Sequence, residues 1–390
     1  MSATANRVLL SFIEESTYGT TPSGSLQEIR MTGESLKGDT QTTNSAEIRD
    51  DRMISDVLRT MVSASGDIQF ELSYGSFDSF LEAALRSADW TTEATVISAT
   101  TTITFASNTI TTSATWTNTP AAGDWVRVTG ATDEPLANSF YKVTGATSTV
   151  ITVEQTIQDT GVESGSVTIT NGSQIVNGVE DRSFSIERKY GDIASTFETF
   201  VGMEIETFTL SITAEGLVTG SFGFMGKQAA SASATIGTGY TDANTNPIVN
   251  STDNVQGVQE AYASLAATAF SLSLANNLRG RTQIGALGYQ SVGDGQLELT
   301  GTLQKYLADN VLANKHLNFT ESSICVFITD ESSIVAGNSY VIEIPLINYT
   351  SGQRVAGSNN TDVITDHAWS AKRDGTDDAM IRVVRFPALS

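Results

Sequence analysis

An all-β, β-rich fold is predicted by three features of this sequence. Thr, Ser, Gly and Val are abundant while only 6 Pro occur in 390 residues. Short alternating apolar runs are punctuated by Gly, Asn and Asp, the pattern of half-buried strands joined by turns. Helical periodicity surfaces in only two places. The expected architecture is a β-sandwich or barrel core with short flanking helices, plus a small all-β module inserted into it.

In chain order, residues 1–28 read as an irregular arm, because EESTYGTTPSGS holds turn residues and little periodicity. Strands are expected at IRMTGESLK and GDIQFELS, separated by the polar stretch TQTTNSAEIRDDRMISDV, which is too long for a tight hairpin turn. SFDSFLEAALR (76–86) reads as a helix. Ser76 suits the N-cap, Asp78 the first turn, and Phe77, Phe80, Leu81, Ala84 and Leu85 form one apolar stripe. Residues 92–178 turn Thr-rich, with seven short strand candidates and turns such as PAAGD, as expected of a separate sandwich or barrel. The domain reading is 1–91 for the first part of the core, 92–178 for the inserted module and 179–390 for the rest of the core. In that last part MEIETFTLSITAEGLVTGSFGFMG reads as a hairpin. TLQKYLADNVLANKH reads as a second helix, with Leu303, Leu307 and Val311 on one face beside Tyr306.

GDIQFELS (66–73) returns as GDGQLELT (293–300), and five of the first seven positions are identical. Each copy reads as an acidic strand followed by a helix. Alternation sends Ile68, Phe70 and Leu72 to the core and leaves Asp67, Gln69 and Glu71 on the other face. In the second copy Leu297 and Leu299 go inward and Asp294, Gln296 and Glu298 outward. The mixed-charge loop between the first strands carries Glu47, Arg49, Asp50, Asp51 and Arg52.

The chain carries 22 Lys+Arg against 44 Asp+Glu, a net charge of −22. Such a balance opposes adhesion to phosphate backbones and anionic lipid, both of which need clustered cations. Cys325 is the single cysteine, so no intrachain disulfide forms. MSATANRVLLSF is too poor in apolar residues for a secretory signal, and no run approaches a membrane helix. Chemistry-bearing constellations are absent from the pattern. His316 suits a helix C-terminus and His367 a packed or surface position, without neighbours suited to a triad or metal. Asp242, Asn244, Asn246 and Asp253 fall at calcium-loop offsets, but Pro247 stands where that loop needs Gly, so no metal is expected. Glu204 and Glu206 share a strand face and suggest carboxylate catalysis only weakly. The expectation is a protein that is not an enzyme and holds no cofactor.

IEESTYGTTP, MTGESLK, SAEIRDDR and ASGDIQFELSYGSFDSFLEAAL, followed much later by YVIEIPLINYTSG and DGTDDAMIRVVRF, resemble the major tail tube protein of long-tailed, siphovirus-type bacteriophages. The resemblance covers residues 1–91 and about 180–390. It implies six-fold rings stacked into a tube whose inner strands form a continuous barrel around a DNA channel. The partners implied are further copies of the chain, a tape measure protein and tail terminator or tip proteins. DNA transits without specific binding, and no membrane is involved. The location implied is the virion tail, after assembly in the host cytoplasm. On that reading Asp67, Gln69, Glu71, Asp294, Gln296 and Glu298 face the lumen, Glu47, Arg49, Asp50, Asp51 and Arg52 bridge stacked rings, and module 92–178 faces outward. A surface adhesin or carbohydrate-binding β-protein is the alternative that the Thr-rich module would also suit.

Overall fold

The computed structural model describes residues 3–99, 102–332, 336–355 and 359–388. Strand accounts for 52 % and helix for 6 %, so the β-rich class predicted from the sequence holds. Twenty strands hydrogen-bond into one network, nearly all antiparallel, and eight more form a second sheet. No closed barrel occurs among the described residues.

One run of six neighbours organises the main sheet. In spatial order these are Val57–Glu71, Thr219–Gly226, the C-terminal half of Phe197–Thr213, Ala267–Ala275, Glu298–Tyr306 and Ile364–Ala371. Their inward positions are Ile68, Phe70, Phe222, Phe208, Leu210, Leu272, Leu274, Leu299, Leu303 and Trp369, all buried. Phe197–Thr213 serves two layers. Its first residues pair with Ser183–Tyr190 and Gln228–Ala232, and the rest joins the six-strand run. The change of direction falls at Gly202, whose φ of +67° few side chains tolerate. The Glu15 carboxylate accepts the Gly202 N–H at 2.9 Å and fixes the bend.

Helix α1, Asp78–Leu85, forms where the apolar stripe predicted it. Phe80 lies at the junction of the layers, 5.1 Å from Phe184 and 5.5 Å from Phe222 between ring centres. The cap differs from expectation. Phe77 occupies the N-cap without a side-chain bond, because Ser76 Oγ bonds Ser73 and Asn244 instead. Asp78 accepts from Tyr340 and pairs with Arg385, tying the first turn to the C-terminal strands. The second helix is shorter than expected: α2 spans only Val311–Leu317. TLQKY continues the strand Glu298–Tyr306, held on both edges by neighbours. Leu303 is buried as a strand residue, while Tyr306, Leu307 and Val311 are exposed and form no helical core face. The 3.6-residue period runs across a strand, a loop and a helix, and tertiary pairing overrides it.

The eight-stranded sheet holds strands between Ala94 and Asn171, inside the Thr-rich region, and surrounds its own core of Val96, Ile103, Phe105, Trp116, Val128 and Ile151 among others. The next strand, Ser173–Val176, already pairs with Arg382–Phe386 of the main sheet. Between the sheets lies a third apolar cluster: Trp125 and Phe140 from the module against Cys325, Phe327, Val341, Val384 and Phe386. Phe140 stacks on Phe327 at 5.7 Å, and Arg127 donates to the carbonyls of Gly337 and Pro387. The module is seated on the main sheet, not merely strung from it.

Candidate functional site

The open face of the six-strand run is a polar surface assembled by regular structure from strands far apart in sequence. Antiparallel pairing lines up one residue from each strand. One row runs Gln69, Ser221, Thr209, Ser273, Thr300, Ser370. The next runs Glu71, Thr219, Ser211, Ser271, Thr302, Ala368, and a third begins Asp67, Gly223, Thr207, Ala275, Glu298. No Lys or Arg stands in these rows. Hydroxyls bond across strands, Thr209 to Ser221 and Ser271 to Thr302, each at 2.8 Å. Such pairs consume part of the hydroxyls' bonding capacity and flatten the surface. At Gly223 a Cβ would come within 2.3 Å of the Thr207 hydroxyl and 2.8 Å of an Asp67 oxygen, so the row closes over the missing side chain.

The parity expected for the first acidic strand matches the burial pattern. Asp67 and Gln69 are exposed, Glu71 is half-buried, and Ile68, Phe70 and Leu72 are buried. The second copy departs from it. Residues 294–297 form a loop and the strand begins only at Glu298. Asp294 turns onto Arg86 at 2.7 Å, and the Gln296 carbonyl accepts from Asn277. Of this set only Glu298 joins the rows. The Ser and Thr residues that fill most of the surface went unnoticed in the sequence; their signal was the alternation TFTLSIT and FSLSL, polar positions all hydroxyl.

Glu204 and Glu206 do not share one face as expected, because a bulge between Ile205 and Thr207 shifts the register. Glu204 is buried and meets Arg86 at 3.1 Å. Burial pushes its pKa up, and Arg86 only partly reverses this. Glu206 is half-buried; burial first, then repulsion from Asp67, raises its pKa.

The loop with Glu47, Arg49, Asp50, Asp51 and Arg52 tips a two-strand ribbon. Lys37–Asn44 pairs with Val57–Ser65, but Thr219–Gly226 reaches only to Ala64. Beyond it, Val57–Ser63 has a neighbour on one side alone. Arg49 bonds Asp51 at 2.6 Å within the loop, and Glu47, Asp50 and Arg52 make no ion pair among the described residues. Large apolar side chains stand among these charges. Ile48 is 99 % exposed, and Met53, Ile54, Val57 and Leu58 are more than half exposed. A two-stranded ribbon with both faces wet is marginal alone.

The remaining candidates are absorbed by the fold. His316 Nδ1 lies 3.0 Å from the Tyr349 carbonyl, and His367 is buried against the Tyr349 ring with its pKa lowered by burial. Asn244 and Asn246 both donate to the Tyr74 carbonyl, and Asp253 stays with Asn250. No cluster of three His, Cys, Asp or Glu suited to a metal occurs among the described residues. No helix there is long and apolar enough to cross a membrane.

No curated protein matches this chain. The family model described as phage tail tube protein matches residues 5–371, nearly the whole chain and the Thr-rich module with it. A β-rich chain with an open polar sheet face and a projecting ribbon fits that match, and the chain belongs to the phage tail tube protein family.

Proposed function

We propose that this tail tube protein forms hexameric rings that stack into a channel, and that the open hydroxyl and carboxylate face lines its lumen. The family is structural, so the chain is a component of the virion tail and assembles with copies of itself into a tube. The observation that carries the lumen assignment is the absence of Lys and Arg from two rows across six strands and a third across five. DNA carries about one negative charge per 1.7 Å of axis, and cations on the wall would bind it by displacing counterions. A wall of paired hydroxyls edged by Asp67, Glu71 and Glu298 offers no such exchange, so the genome slides during ejection. Copies side by side would also close the open sheet, removing edge strands and supplying the barrel that one chain lacks.

The ribbon and its loop are the contacts to neighbouring copies in the next ring. Buried apolar area from Ile48, Met53 and Ile54 supplies the affinity, and the charges of Glu47, Arg49, Asp50, Asp51 and Arg52 set register, since exposed ion pairs contribute only about 0–1 kcal/mol each. The Thr-rich module decorates the outside. A tape measure protein inside the growing tube and terminator or tip proteins at its ends complete the partners, with assembly in the host cytoplasm.

Electron microscopy of purified protein tests the assembly: six-fold rings and hollow tubes are expected, and isolated monomers under all conditions would refute it. Replacing Ser273, Thr300 and Ser211 with Lys tests the lumen. Tubes should still form, while DNA ejection slows and becomes steeply salt-dependent. Tubes that eject normally would place this face elsewhere.

A further inference from the structure

The seam between the module and the main sheet hides an ion cluster that neither the open face nor the ribbon uses. Lys142, on the module strand Phe140–Ala146, reaches across the seam. Its Nζ lies 2.7 Å from Glu343 Oε1, contacts Asp377 Oδ2, and donates to the Tyr262 hydroxyl at 2.9 Å. The Lys142, Glu343 and Asp377 side chains are 9 %, 0 % and 8 % exposed. Trp125, Phe140, Phe327, Val341 and Cys325 are buried around them. Glu343 is held firmly: Oε2 accepts from Trp125 Nε1 at 2.8 Å and from Arg382 at 2.7 Å, and Oε1 accepts from Tyr262 at 2.8 Å. A largely buried amine, a carboxyl in contact with it and a second carboxyl beside the amine are the groups that amide formation needs.

We propose that Lys142 and Asp377 condense into an isopeptide bond, with Glu343 transferring the protons, so that the module is joined covalently to the main sheet. At this largely buried site the ammonium–carboxylate pair can redistribute its proton to give amine and carboxylic acid, because burial disfavours both charged forms. The Nζ lone pair attacks Asp377 Cγ. Arg382, 3.6 Å from Asp377 Oδ2, stabilises the negative charge that builds there. Glu343 Oε1 takes a proton from Nζ and delivers it to Oδ1, the Cγ–Oδ1 bond breaks, and water leaves. Amine plus carboxylic acid gives amide plus water, and no other reactant is required. Holding the pair in contact supplies an effective molarity on the order of 10⁵ M or more, which favours a condensation that dilute groups do not undergo. Burial lowers the Lys142 pKa, but Glu343 and Asp377 outweigh it and hold it up. The proton therefore has to move inside the cluster, which is why a relay carboxylate matters.

Digestion of the unfolded full-length protein with trypsin, read by mass spectrometry, tests this. The expected product is a branched peptide in which Lys142 resists cleavage and carries the segment Asp374–Arg382, lighter than the two parts by one water. Intact mass should be low by the same amount. Lys142→Arg and Asp377→Ala should abolish the branch. Glu343→Gln keeps both reacting groups and should leave them uncondensed, with folding of each variant checked by circular dichroism. Lys142→Arg keeps the charge and is the control if Glu343→Gln unfolds. Ordinary cleavage at Lys142 with a free Asp374–Arg382 peptide in the wild type overturns the proposal. A branch that persists in folded Glu343→Gln overturns the role of Glu343.

Discussion

GDIQFELS and GDGQLELT are spelled almost alike, yet their aspartates live in opposite electrostatic surroundings. Asp67 stands in a continuous strand, exposed, and its charge repels Glu206. Asp294 stands in a loop and meets the Arg86 guanidinium. The divergence begins at the third position. Ile68 is fully buried and holds the strand to the core, whereas Gly295 has no side chain to bury. A Cβ there would strike the Asn277 carbonyl at 2.2 Å, so only glycine lets the chain lie this close to the neighbouring backbone. Matching polar letters did not impose matching structure; the apolar letter between them did.

The largest test of that difference is at the fifth position of each copy. Phe70 is buried and stacks on Phe222 at 4.9 Å and against Phe77 at 4.5 Å. Leu297, its counterpart, is only partly buried at the core margin. Phe70→Ala should cost about 3–5 kcal/mol, and Leu297→Ala about 1 kcal/mol or less, in urea unfolding of the unassembled chain. Equal losses would mean that the second copy packs as a strand after all.

A comparable loss is expected at Arg86. It follows α1 with a φ of +49° and gathers Glu204, Asp181 and Asp294 around one buried cation. Arg86→Met leaves Glu204 buried without its partner, and removing one member of such a pair costs about 3–5 kcal/mol. Asp294→Asn should then be mildly destabilising and Asp67→Asn neutral or mildly stabilising, both within about 1 kcal/mol. Opposite signs are the point; the same sign in thermal unfolding would erase the contrast.

Which parts of this were legible follows from range. The apolar stripe of α1 and the alternation of Ile68, Phe70 and Leu72 are local patterns, and the fold kept them. The second helix was misread because Leu303 and Leu307 sit four apart in either reading, and only the flanking strands Ala267–Ala275 and Ile364–Ala371 identify TLQKY as a central strand. The open face was half visible: its carboxylates drew attention, while its hydroxyls needed the register between six strands far apart in sequence. In the ribbon loop, charges masked Ile48, Met53 and Ile54, whose exposure depends on where the sheet ends.

The smallest expected effect is a pH dependence, and it separates the two copies most cleanly. Glu206 has its pKa raised above the ordinary 4.5, first by burial and then by Asp67. For a carboxylate raised in the folded state, the folded chain holds more protons than the unfolded chain over the window from 4.5 up to the folded value. Stability from this group is therefore greatest at low pH and declines as pH rises through that window. Asp67→Asn removes the like charge, lowers the Glu206 pKa toward its ordinary value and should flatten that decline, with a gain of a few tenths of a kcal/mol near neutrality, reduced because the site is largely solvent-screened. Glu206→Gln should remove the contribution entirely. Asp294→Asn acts on two neighbours at once. Glu204, also raised, loses a repelling charge, but Arg86 loses a partner, and the net is a small destabilisation. Measuring unfolding free energy from pH 4 to 8 for the four chains, with assembly suppressed by low concentration, compares the two aspartates directly. A decline in stability that Asp67→Asn leaves unchanged would show that burial alone raises Glu206 and that the first copy's acidic face carries no coupling across strands.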